Sequence, residues 1–240
     1  KPDLIAIDGG STDSGPYYLG SGKSKYSYSA TKKDWSILMN MRSKAKVPLL
    51  IGTAGTCGTK SSVEWMLKIT QEIMYAGNLG TPQNVESFLD LFSKSKKQYK
   101  LTIYGSGSQF ESIASRESVN VTVNSFVSRD ELLQKTSHIP FALVSLSPKI
   151  TVEGFPGKTF DYLKMNKILI GFSNPKSSLA KFIEKYKLGI NISPNEDNLD
   201  SKLQTLEDKN YIDQIYENIS EINNKFANVD AIADQYIKLI

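Results

Sequence analysis

Two carboxylates eight residues apart, with a Gly/Pro turn and a lysine between them, form the most chemically suggestive stretch of this chain: Glu153-Gly-Phe-Pro-Gly-Lys158-Thr-Phe-Asp161. An amphipathic turn of helix and the apolar run Ile168-Leu-Ile-Gly-Phe172 follow. A turn that opens a helix presents backbone N–H groups with no partner inside the helix, and these suit a phosphate. Lys158 adds a positive charge at that spot. Asp161, one turn further in, offers two acceptor oxygens to a pair of ribose hydroxyls. A site for a nucleotide-activated sugar can be built this way. The same residues also fit a solvated helix start with ordinary caps.

The elements that must position these residues alternate along the whole chain. Strand-like apolar runs are Leu4–Asp8, Leu49–Gly52, Glu72–Ala76, Leu101–Tyr104, Val119–Asn124, Phe141–Leu146, Ile168–Phe172 and Gly189–Ile192. Helical patterns fall at 32–45, 61–71, 83–95, 108–115, 129–137, 158–165, 177–187 and 198–207, and a last one runs from about 210 to 240. This alternation predicts an α/β fold, a doubly wound parallel sheet with helices on both faces. If the strand at 72–76 is the first of a Rossmann-like domain, the strand at 141–146 is its fourth. In the common order 3-2-1-4-5-6 those two flank the switch point, where ligands bind at the carboxyl ends of the strands. The loop Gly77-Asn-Leu-Gly80 and the segment 153–161 both fall at that crevice.

The 153–161 stretch resembles the nucleotide-sugar signature of GT-B glycosyltransferases, in particular the large retaining group 1 or family 4. The family pattern is Glu, seven residues, Glu; here Glu153 matches the first, and Asp161 stands one methylene short at the second. The resemblance runs from about Ile73 to the C-terminus. Met74-Tyr-Ala-Gly-Asn-Leu-Gly80 resembles the first strand and loop of the family's C-terminal domain. Leu101-Thr-Ile-Tyr-Gly-Ser-Gly107 resembles its second strand with the Gly-x-Gly turn, and Asn120-Val-Thr-Val-Asn-Ser-Phe-Val-Ser-Arg-Asp-Glu-Leu132 its third strand and following helix. The resemblance implies that Asp161 holds the ribose, that Glu153 contacts the sugar and that the backbone near Val127 and Ser128 reads the base. Gly77, Asn78 and Lys158 would face the phosphates, with Gly105 and Gly107 in the same donor site. It implies a UDP- or GDP-linked sugar donor as substrate, no cofactor and no metal. One departure matters. The family carries Gly-Arg and, five residues on, Lys-Gly after its first strand, and those cations bind the diphosphate. This chain has Gly77-Asn78 and Gln83-Asn84 there. Lys158 is left to take over part of that work, or else the loop merely turns and caps the next helix.

Residues 1–72 read differently. Asp8-Gly-Gly-Ser-Thr-Asp13-Ser-Gly-Pro-Tyr-Tyr-Leu-Gly20, Pro48-Leu-Leu-Ile-Gly-Thr-Ala-Gly-Thr-Cys-Gly58 and Val63-Glu-Trp65 resemble part of the acyclic terpene utilisation (AtuA-like) family. The spacing Gly52-x-x-Gly55-x-x-Gly58 after a strand could cradle a phosphate. It is not a Walker A loop, because no Gly-Lys-Ser/Thr stands at the required spacing. Asp8 and Asp13 could hold a divalent cation, or act as Asx caps of a tight turn. We therefore expect two parts, a partial AtuA-like α/β segment over 1–72 and a Rossmann-like nucleotide-sugar domain over 73–240. With two clear strands, the first part is too short to be a Rossmann acceptor domain. The join near Ile73 reads as a natural fusion, a truncation or an artificial join.

The remaining features exclude more than they assign. The 240 residues are 40% hydrophobic and 22% charged, which is ordinary for a globular protein. No apolar run approaches the roughly 18 residues of a membrane span, and no signal peptide is visible. The chain opens Lys1-Pro-Asp-Leu-Ile without a Met, so a natural start upstream is expected. The single cysteine, Cys57, forbids an intrachain disulfide and fits the cytoplasm. With one histidine, His138, there is no His/Cys zinc cluster, and a capping or surface role is expected for it. The +4 charge is scattered, with no basic stripe for nucleic acid, and is compatible with an anionic donor or peripheral membrane contact. The leading reading is the donor-binding half of a glycosyltransferase acting toward a glycan or lipid-linked acceptor. The alternatives are a non-catalytic binding protein and an AtuA-like protein of acyclic terpenoid or acyl catabolism.

Overall fold

The computed structural model describes residues 2–10, 14, 16–45, 47–97, 99–150, 155–196 and 198–227. Its strands are β1 (Ile5–Gly10), β2 (Leu49–Thr56), β3 (Glu72–Asn78), β4 (Lys100–Ser106), β5 (Val121–Ser125), β6 (Phe141–Ser145), β7 (Ile168–Phe172) and β8 (Gly189–Ile192). Its helices are α1 (Pro16–Ser21), α2 (Tyr28–Ala45), α3 (Lys60–Thr70), α4 (Val85–Phe92), α5 (Phe110–Ala114), α6 (Arg129–Thr136), α7 (Lys158–Lys164), α8 (Ser178–Tyr186), α9 (Leu199–Gln204) and α10 (Lys209–Ala227). The chain divides into two compact units. The first holds residues 1–73, 98–100 and 127–140; the second holds 74–97, 101–126 and 141–240.

A six-stranded sheet in the order β5-β4-β3-β6-β7-β8 organises the second unit. The central position of β3 beside β6 is the arrangement the alternation predicted, with the first and fourth strands adjacent. Register within the sheet is parallel, with Phe141 opposite Ile168 and Leu169 opposite Gly189. Strands β6 and β7 are buried along their whole length. A continuous apolar run such as Ile168-Leu-Ile-Gly-Phe172 fits a parallel strand covered on both faces. The covering helices are amphipathic. Val85, Phe88, Leu89 and Phe92 of α4 recur at helical spacing and are all buried. Ser177 caps α8 by accepting from the Ala180 N–H, and Lys187 ends it in the left-handed conformation.

Boundaries moved by a few residues. Val119 stands outside β5 and is 96% exposed, because a turn with a Ser118–Val121 bridge precedes the strand. The C-terminal helix is described to Ala227; residues 228–240 lie outside the described set. Helix α1 was not foreseen, since Pro16 suits a first helical turn but Gly20 inside it does not.

In the first unit β1 and β2 pair in parallel, Ile5 opposite Leu49 and Ile7 opposite Ile51. A buried ionic cluster lies among its segments. Glu72 is 1% exposed, with Lys32 Nζ at 2.6 Å and His138 Nε2 at 3.3 Å. Lys100 sits 3.9 Å above the Tyr28 ring. Burial, with the Glu72 charge second, pushes the Tyr28 hydroxyl up to about 12. This corrects the expectation of a surface His138: it is buried and faces a carboxylate that no local pattern associates with it.

Candidate functional site

The carboxyl end of β3 is built from three close approaches. At Gly105, near the end of β4, a Cβ would lie 2.3 Å from the Gly77 carbonyl oxygen. At Gly107 (φ +143°) a Cβ would meet the Leu79 carbonyl at 2.4 Å and Asn78 Oδ1 at 2.6 Å. Only glycine lets the two loops lie this close. Backbone bonds then lock them: Leu79 N–H donates to Ser106 O (2.8 Å), and Gln109 N–H to Leu79 O (2.9 Å). The third approach is at Gly77 (φ +138°), where a Cβ would stand 2.6 Å from Lys158 Nζ.

Lys158 opens α7, and its side chain reaches the end of β3. The ammonium sits 4.0 Å above the centre of the Tyr75 ring. Nζ is buried and has no hydrogen-bond partner among the described residues. Burial lowers it from the usual lysine range to about 8. Two tyrosines fix the strand beneath. Tyr75 Oη donates to the Asn78 carbonyl (2.5 Å). Tyr162 Oη donates to Ala76 O (3.1 Å) and accepts from Ala76 N–H (2.8 Å). Burial raises both phenols far above their usual range, so both stay protonated. Three more buried atoms of this unit lack partners among the described residues: Thr159 Oγ1 beside Lys158, Ser145 Oγ on the last residue of β6, and Gln109 Oε1. Buried polar atoms left this way are uncommon, and at a crevice they are what a ligand or water satisfies.

The structure thus brings Gly77, Asn78, Gly105, Gly107 and Lys158 together at the ends of β3 and β4. Asp161 lies in the first turn of α7 and is exposed. Val127 and Ser128 belong to the first unit, where Ser128 caps α6 by accepting from the Glu131 N–H. Glu153 lies outside the described residues. One expectation needs correction. The turn before α7 does not offer a set of free amides: Thr159 N–H donates to Pro156 O (3.0 Å), and Phe160 N–H to Gly157 O (3.1 Å). A tight first turn uses these donors internally, so attraction for an anion rests on the Lys158 ammonium. Nor do Asn78 and Gln83 point independently at a ligand, because Asn78 Nδ2 donates to Gln83 Oε1 (3.2 Å) and closes the loop. Sequence reasoning missed Tyr75 and Tyr162. Each reads as an ordinary core aromatic until the fold places its hydroxyl on the β3 backbone.

In the first unit, Asp8 accepts from the Thr53 hydroxyl and from Gly10 N–H, and these bonds hold its carboxyl below the usual range. That is the cap expected of a tight turn. Asp13 lies outside the described residues, and no cluster of three or more potential metal ligands occurs among the described ones. The C-terminal half of β2 has positive φ at Thr53, Gly55 and Thr56, and the turn after it has positive φ at Gly58. Beside its end, the Cys57 thiol is drawn below its usual range mainly by the Ser62 hydroxyl.

No family model matches the chain, and no curated protein matches it in sequence. Solved structures do match. The chain is similar to the lipopolysaccharide outer core galactosyltransferase WaaB in its apo form, at 19% identity and a TM-score of 0.50 over 62% of this chain and 44% of that one. It is similar to the catalytic domain of cholesterol-alpha-glucosyltransferase from Helicobacter pylori, at 16% identity and a TM-score of 0.50 over 65% of this chain and 98% of that one. It is similar to AviGT4, a glycosyltransferase involved in Avilamycin A biosynthesis, at 13% identity and a TM-score of 0.55 over 70% of this chain and 50% of that one. The chain therefore spans about half the length of two of these. What they share with it is the fold, a Rossmann-like α/β arrangement found in GT-B glycosyltransferases.

Proposed function

We propose that the second unit is the donor-binding half of a glycosyltransferase and takes a nucleoside diphospho-sugar, UDP- or GDP-linked. Lys158 contacts the diphosphate beside Gly77 and Asn78, and Asp161 holds the ribose hydroxyls. Glu153 contacts the sugar. The acceptor is a glycan or a lipid-linked saccharide of polysaccharide or glycoconjugate synthesis, reached in the cytoplasm or at a membrane face. One observation carries the reading: a buried ammonium without a partner among the described residues stands at the carboxyl end of the central strand, where parallel α/β sheets bind ligands. The fold likeness to glycosyltransferases supports it. No described helix is long and apolar enough to cross a membrane.

Titration calorimetry of UDP and GDP against uridine and guanosine tests the reading. One diphosphate should bind more tightly than its nucleoside. Asp161→Ala should then weaken it by about 1–3 kcal/mol through loss of charge-assisted hydrogen bonds. Absence of binding by both diphosphates would end the proposal, and equal affinity in the variant would remove Asp161 from the site.

A further inference from the structure

A lysine buried in a protein ordinarily has a carboxylate beside it, because an isolated ammonium is costly away from water. Lys158 Nζ has a ring face instead. The Tyr75 centroid is 4.0 Å away, and no acceptor among the described residues bonds the ammonium. The ring itself is held in place: Tyr75 is fully buried, and its hydroxyl donates to the Asn78 carbonyl at 2.5 Å. One side chain therefore touches both the cation and the loop at the end of β3.

We propose that Tyr75 is the positioning residue of the phosphate site, its ring seating the Lys158 ammonium beside Gly77 and its hydroxyl fixing the Asn78 loop, so that a ligand diphosphate serves as the counter-ion. The inference rests on the diphosphate reading above. Its physical basis is a difference between two kinds of partner. A carboxylate would hold the ammonium at hydrogen-bond distance and compete with an incoming phosphate. A π face attracts the cation from one side and leaves the N–H donors on its open side for phosphate oxygens. Such a contact favours the charged form by about two- to thirtyfold in a desolvated place. Gly77 belongs to the same device, since a side chain there would occupy the space the ammonium fills.

The experiment follows the Lys158 titration directly in the ligand-free 240-residue chain, from the Cε shift of 13C-labelled lysine, assigned by its loss in Lys158→Arg. Tyr75→Leu removes the ring and should lower the Lys158 midpoint, which lies at about 8 in the parent chain. A two- to thirtyfold loss of preference for the charged form corresponds to a fall of about 0.3–1.5 pH units. The same variant should lose UDP or GDP affinity by a similar factor while nucleoside affinity stays put. Tyr75→Phe keeps the ring, so its midpoint should match the parent's. Tyr75→Met repeats the ring-less test should the leucine variant not fold. An unchanged midpoint in a folded ring-less variant overturns the proposal, as does a Tyr75→Phe midpoint that falls with it. Failure of the diphosphate reading would look different. UDP and uridine, and GDP and guanosine, would bind the parent chain alike, and the positioning role would fall with that reading whatever the titration showed.

Discussion

Replacing Lys158 with methionine should make the ligand-free chain more stable and remove its preference for a diphosphate. Burial lowers the ammonium from 10.5 to about 8 in the folded chain. At about 1.36 kcal/mol per pH unit, holding the charge in place costs about 3 kcal/mol. Methionine fills much of the same volume without charge and packs well against an aromatic ring. Some packing is lost, so a gain of about 1–3 kcal/mol at pH 7 is expected, each kcal/mol raising the melting temperature by about 2–4 °C. The sign follows from linkage. The folded-state midpoint is depressed, so between about pH 8 and 10.5 the unfolded chain binds more protons than the folded one. Parent stability should therefore carry a contribution that rises with pH through that window, and the variant should lack it. At pH 7 both states are charged and the full cost is present. Urea unfolding at pH 7 and pH 10 measures the stability arm, and calorimetry with UDP and GDP measures the binding arm. A methionine variant less stable than the parent at pH 7, with diphosphate binding intact, would refute the argument that this lysine is held at a cost for its ligand.

Other expectations follow from the same geometry. Gly105→Ala drives a Cβ to 2.3 Å from the Gly77 carbonyl, a backbone contact that no rotamer relieves; it should destabilise the second unit by about 2–4 kcal/mol in urea unfolding, and a neutral result would show the two strand ends are not this close. Tyr162→Phe removes both hydrogen bonds to Ala76; a loss of about 1–3 kcal/mol is expected, with faster amide exchange at Ala76, and unchanged exchange would contradict the clamp. The 240-residue chain should bind donor nucleotide yet transfer little sugar, because its first unit carries a two-stranded sheet, and orienting an acceptor hydroxyl is a large share of the rate. Radiolabelled nucleotide-sugars offered with lipid-linked and soluble acceptors test this, and robust turnover would show that the first unit or a second copy supplies the missing wall.

The fold of the second unit was legible because its signals are local. Five-residue apolar runs such as Phe141–Ser145 and Ile168–Phe172 alternate with helical patterns, and a parallel sheet is the arrangement that buries them. From that alternation the adjacency of β3 and β6 followed, and with it the place of the crevice. Gly77, Gly105 and Gly107 could be singled out because each stands within a residue of a strand's carboxyl end. The electrostatics of the site were not legible. Hydrogen bonds within the first turn of α7 depend on how tightly that turn winds, which Gly157 leaves open, and the winding found there uses up amides that would otherwise face an anion.

What the sequence determined by itself is thus the alternation, the parallel sheet and the position of its switch point, because periodicity and glycine placement act over a few residues. What only the tertiary structure decided is which side chains meet. Tyr75 and Lys158 lie far apart in the chain, and neither residue's neighbours announce that one will form the seat of the other's charge. Glu72 and His138 are also far apart in sequence, yet they share a buried ionic cluster. Such pairs are made by the packing of whole elements, and the free energies of burying a charge exist only once water has been excluded around it.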